Sequence, residues 1–136
     1  MGRTVNQRDA HRQVMELEGL VDRHSAPRPM PIRVGDLSVG GCLIIGWTAP
    51  VGTKARLHID VRDTKPPVEV RVTVMREVTT TSEAAVGVRF DQPYPVAVEN
   101  RLSKAIRMLE REKARARRQA LEDAEDTAPE AGGAYA

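Results

Sequence analysis

Aromatic side chains are nearly missing from this sequence: Trp47, Phe90, Tyr94 and Tyr135 are the whole set, 3% of 136 residues. General single-strand nucleic-acid binders stack bases on aromatic platforms in a basic groove, so this scarcity argues against that class. A sequence pI near 9.0 does not reverse the argument, because the formal net charge is only +2 and much of the basic excess sits at the two ends of the chain. Cysteine is limited to Cys42, which excludes an intrachain disulfide; its place in an apolar run marks it as a small buried hydrophobe. His11, His24 and His58 are scattered, without the paired spacing of a metal site. Long apolar runs are also lacking. The longest strand-like one, residues 42–45, falls far short of the ~20 residues that cross a bilayer, and the N-terminus has no secretory h-region, so the expectation is a cytoplasmic protein without membrane insertion. There is no Gly-x-x-x-x-Gly-Lys loop, no dinucleotide fingerprint and no Gly-x-Ser-x-Gly elbow around Ser38, and the reading is therefore not an enzyme.

What is present is a succession of short alternating segments. Residues 13–21 alternate Val14, Glu16 and Glu18 against Met15 and Leu17, predicting a half-buried strand. Residues 22–31 carry Pro27, Pro29 and Pro31 and are expected to form a loop outside any ladder. Residues 32–34 and 42–45 predict two further strands, the second buried on both faces or curled around a barrel. In 53–61, Ala55, Leu57, Ile59 and Val61 face one way and Lys54, Arg56, His58 and Asp60 the other; Val68, Val70, Val72 and Val74 repeat the pattern, and residues 84–90 return after a hairpin loop. Short strands with no helix between them indicate a mainly β antiparallel barrel or sandwich.

Pro93 and Pro95 precede a helical segment starting near Val96. Val98, Leu102, Ala105, Ile106 and Leu109 recur at helical spacing, so its first turns are expected to pack on the barrel. The organisation read from the chain is a flexible arm over 1–12, a barrel with the packed helix start over 13–110, a charged helical extension over 111–126 and a disordered tail over 127–136. Acidic residues toward the helix C-terminus oppose its dipole, so fraying is expected there.

Two short motifs carry the chemistry. Arg8 and Arg12 stand four positions apart, and 24 residues further on comes Asp36-Leu37-Ser38-Val39-Gly40-Gly41. Guanidiniums offer planar forks to phosphate or to the O6/N7 edge of guanine. Asp36 supplies an acceptor for the N1–H and N2–H2 edge of a guanine and Ser38 a second contact; the bland alternative is a turn whose Asp and Ser bond their own backbone. Gly40 and Gly41 read as close approach of a ligand or as a glycine turn feeding the next strand.

In this order the motifs resemble those of the PilZ domain, a bacterial cyclic di-GMP receptor module with the signature Arg-x-x-x-Arg followed by Asp/Asn-x-Ser-x-x-Gly; the Val86-Gly87-Val88-Arg89-Phe90 segment looks like its closing strand. The resemblance implies a six-stranded antiparallel barrel with a C-terminal α-helix. It implies cyclic di-GMP as ligand, with no cofactor or metal, a site formed by Arg8, Arg12, Asp36, Ser38, Gly40 and Gly41, and an arm that orders on binding and signals to an unidentified partner protein. The alternative is a ligand-independent PilZ-like adaptor acting by protein–protein contact; an RNA binder using the Arg-rich helix ranks behind both.

Overall fold

A computed structural model of the chain describes residues 16–23, 26–79 and 82–133, the side chains of 125–133 aside. It contains six strands, β1 (Leu17–Asp22), β2 (Met30–Gly35), β3 (Gly41–Ile45), β4 (Lys54–Ile59), β5 (Val68–Thr79) and β6 (Ala84–Phe90), then one helix, α1 (Val96–Gly133). The strands close in the order β1-β2-β3-β6-β5-β4, every pair antiparallel. Closure removes the free edges that an open sheet of this size would expose. The alternation seen in the sequence is the inside–outside code of the wall: Leu17, Val34, Ile44, Leu57, Val72 and Val86 are wholly buried, and Phe90 is the bulkiest side chain so enclosed. Cys42 belongs to this lining, and burial pushes its thiol pKa up.

Three differences from the sequence reading have local causes. Pro31, assigned above to an unpaired loop, lies inside β2 opposite Leu20. The β3 ladder reaches only from Arg33 to Gly35, so at Pro31 the strand has a partner on one side alone and loses no ladder bond by lacking an N–H. β5 runs to Thr79 because a bulge between Val74 and Arg76 re-phases it, leaving Met75 48% exposed and Arg76 opposite Gly87. The helix continues to Gly133, through residues expected to be a tail, even though Pro129, Gly132 and Gly133 stand in its last turns. The expected arm over 1–12 and the first residues of the expected β1 lie outside the described residues.

Glu16–Arg107 form one compact unit, the barrel with the first turns of α1. Leu102 and Ala105 are buried there, and Arg101 donates to both carboxylate oxygens of Asp63 at 2.8 Å and to the carbonyl of Pro66, tying the helix start to the β4–β5 connection. From Met108 onward α1 belongs to a second unit, in which Gln119 donates to Asp123 one turn later at 3.2 Å. No helix among the described residues is long and apolar enough to cross a membrane.

Candidate ligand site at the β2–β3 turn

The six residues 36–41 leave β2 and enter β3 in a turn that Ser38 holds together. Its amide donates to the carbonyl of Gly41 at 2.9 Å, and its hydroxyl donates to the same carbonyl at 3.1 Å. The Ser38 hydroxyl oxygen in turn accepts from the amides of Gly40 and Gly41, at 3.3 and 3.2 Å. The Ser38 hydroxyl is thus fully engaged within the turn, the side-chain-to-backbone arrangement for which serine is favoured in turns. Asp36 opens the turn with φ of 47°, a left-handed conformation that aspartate tolerates better than most residues, and it is exposed.

The two glycines differ. A Cβ on Gly41 would lie 2.1 Å from the carbonyl oxygen of Val88, so β3 and β6 can approach this closely only with glycine there. A Cβ on Gly40 would meet nothing within 4 Å. Gly40 is exposed, and its carbonyl accepts from the amide of Phe90 at 2.9 Å.

The turn is clamped from the far end of the barrel chain. The Tyr94 hydroxyl donates to the carbonyl of Val39 at 2.5 Å, while its ring stands edge-on to Phe90 at 6.3 Å between centroids. Sequence reasoning missed this role, counting Tyr94 only among the few aromatics; nothing in the spacing indicates a contact spanning 55 residues.

On the outer wall beside the turn, register sets Lys54 opposite Thr73, Thr73 opposite Arg89 and Arg89 opposite Gly41. Asp91 accepts from the Thr73 hydroxyl at 2.7 Å and from Lys54 at 3.4 Å, and these partners, Thr73 foremost, hold its carboxyl below the usual range. The start of β1 is the other neighbour: Leu17 pairs with Val34, two residues before Asp36. Glu16, only 9% exposed, accepts from Arg33 at 3.5 Å, and its carbonyl accepts from Arg62 at 2.9 Å. A groove of about 530 Å³, lined by residues including Leu20, Arg33, Ile45 and His58, lies toward the opposite end of β2 and β3.

The described part of the expected site, Asp36, Ser38, Gly40 and Gly41, is therefore one turn at one end of the barrel. Arg8 and Arg12 lie outside the described residues. The family model of the PilZ domain matches residues 6–108, which takes in both motifs and all six strands. The chain belongs to the PilZ domain family. Its fold resembles that of several solved structures. YcgR from Escherichia coli in complex with c-di-GMP matches with a TM-score of 0.59 at 20% identity, over 78% of this chain and 45% of that one. The PilZ domain of the same protein with c-di-GMP gives 0.55 at 21%, over 76% and 87%. The Bacillus subtilis inhibitor of motility MotI/DgrA gives 0.54 at 15%, over 68% and 46%. This PilZ chain thus spans about half the length of the MotI and full YcgR chains, and likeness at these identities shows the shared fold. No curated protein matches the sequence.

Proposed function

We propose that this PilZ chain is a receptor for cyclic di-GMP that passes the binding event to a partner protein. The observation that carries the reading is the 36–41 turn: Asp36 is exposed, the space before Gly40 is open, and the start of β1 lies beside it. Support comes from outside the chain as well, since the YcgR structures that share its fold hold c-di-GMP.

The ligand carries two phosphodiesters and two guanines, so a receptor must meet two negative charges and read purine edges. Arg12 stands five residues before Leu17, a tether of at most about 18 Å. Arg8 and Arg12 supply the guanidinium forks, and Asp36 accepts from a guanine N1–H and N2–H2 edge. Ser38 keeps the turn in shape, Gly40 leaves backbone bare where the ligand lies, and Gly41 lets β3 approach β6 closely beside it. The arm orders as it binds, at an entropic cost that lowers affinity and makes the bound surface differ from the free one. The protein works in the cytoplasm and needs no cofactor.

One observation favours the second reading, a ligand-independent adaptor. Ser38 is satisfied within the turn and Gly41 is required by the β3–β6 packing, so both suit a barrel that binds nothing. Calorimetric titration separates the two. Cyclic di-GMP binds the full chain at micromolar concentration or tighter, GTP does not, and Arg8→Ala/Arg12→Ala weakens binding at least 100-fold; an absence of heat with the wild-type chain assigns the adaptor role.

A further inference from the structure

Two arginines stand close together on the outer wall beside the turn. Arg89 stands opposite Gly41 in the β3–β6 register, so its side chain leaves the barrel on the face that Gly41 shares. Arg76, just past the β5 bulge, stands opposite Gly87 and lies across it: a Cβ built on Gly87 would meet the Arg76 Nε at 2.9 Å and its Cγ at 3.0 Å. Arg76 on β5 faces Gly87, and Arg89 lies two residues further along β6, so the two arginines are diagonal cross-strand neighbours rooted about 8 Å apart. Both are exposed, and neither makes a hydrogen bond or ion pair among the described residues. Asp91 accepts from Thr73 and Lys54 and is coupled to Arg89 only through space, by charge, and Glu77 beside Arg76 accepts from Thr48.

The wall between them has little relief. Gly41 and Gly87 sit on it directly, Leu43 lies opposite Gly87, and Gly35 lies opposite Leu43. Three glycines on adjoining strands add no side chains of their own to the wall beside these two guanidiniums. Like charges at this spacing repel, and an anion laid across them relieves the repulsion while accepting hydrogen bonds from both forks. Lysines would give only point charges here, whereas arginine also offers a plane on which a purine can stack.

We propose that Arg76 and Arg89 form a cationic subsite on the barrel wall that engages one phosphodiester of the bound cyclic dinucleotide. The inference rests on the receptor reading and extends it to residues outside both sequence motifs. It gives the closing strand β6 and the bulge of β5 a task in recognition: the bulge turns Arg76 outward, and Gly87 lets its side chain lie flat.

Titration of cyclic di-GMP into the full-length wild-type chain, Arg76→Ala, Arg89→Ala, Arg89→Lys and the distant surface control Lys65→Ala tests the assignment. Each alanine variant at 76 or 89 is expected to weaken binding about 10- to 100-fold, the loss of one charge-assisted contact, with an unchanged thermal midpoint because both side chains are exposed. Arg89→Lys recovers part of the affinity, and Lys65→Ala matches wild type. If the wild-type chain binds while both alanine variants bind within twofold of it, the wall subsite is wrong and the receptor reading stands. If the wild-type chain does not bind, the receptor reading falls and the subsite falls with it.

Discussion

Gly40 and Gly41 are neighbours in one turn, yet glycine is there for different reasons, and substitution separates them. Alanine at Gly41 drives a Cβ to within 2.1 Å of the Val88 carbonyl oxygen, a backbone atom that cannot move without opening the β3–β6 ladder. Gly41→Ala is expected to cost about 3 kcal/mol, the upper end of overpacking, read as a lowered urea midpoint. Gly40→Ala meets no atom within 4 Å and is expected to leave stability within about 0.5 kcal/mol. Its effect should appear in cyclic di-GMP titration instead, as weakened binding, because the space it fills is the space the ligand needs. A Gly40 variant that binds like wild type would show that the ligand approaches elsewhere. Ser38 and Asp36 divide along the same line: Ser38 spends its hydrogen-bonding capacity on the turn, whereas Asp36 is exposed and held at a φ of 47°.

At the scale of elements, legibility followed how strongly one pattern spoke without competition. β6 and the start of α1 fall where residues 84–90 and Val96 were read, because alternation in the one and flanking prolines before the other admit a single solution. β2 was misjudged at its start because a proline forbids pairing only when both neighbours are present, and which strands neighbour Pro31 is a property of the closed barrel. The β5 bulge was equally hidden: Met75 and Arg76 break the valine alternation, and sequence alone does not say whether the strand ends there or re-phases. Of the site, the turn residues were legible as a motif, but Arg76, Arg89 and Tyr94 were not, since cross-strand register places them. The Arg101–Asp63 tie belongs at this scale too, because it joins α1 to the β4–β5 connection. Hydrogen bonding from Arg101 holds the Asp63 carboxyl below its ordinary value. A carboxylate with a depressed folded pKa contributes stability above its unfolded value, near 3.9, and loses it as pH falls through the folded one. Urea midpoints are therefore expected to hold from pH 7 to about 5 and to fall below about 4. Arg101→Gln should start lower at pH 7 and decline less steeply; a variant curve parallel to wild type would remove the pair from the account.

For the whole molecule the question is how a ligand at one turn could alter anything a partner would touch. The turn is joined to the base of the helix by a short chain of contacts: the Val39 carbonyl takes the Tyr94 hydroxyl, the Tyr94 ring packs edge-on against Phe90, and α1 begins two residues after Tyr94. Arg101 then fixes the helix start to the β4–β5 connection, so the segment from Asp91 to the first turns of α1 is held at both ends by side-chain bonds. A ligand that tightens the turn acts on the carbonyl that Tyr94 grips, and protection against amide exchange is the observable that follows such tightening. In the wild-type chain, saturating cyclic di-GMP is expected to slow exchange over 36–41 and also over 91–101. Tyr94→Phe keeps the ring against Phe90 and removes only the hydroxyl, so the barrel stays folded and ligand still slows the turn, but the slowing over 91–101 is lost. Equal protection over 91–101 in wild type and Tyr94→Phe would mean that the signal leaves the turn by another route, with the outer wall at Arg89, one residue before Phe90, as the next place to look.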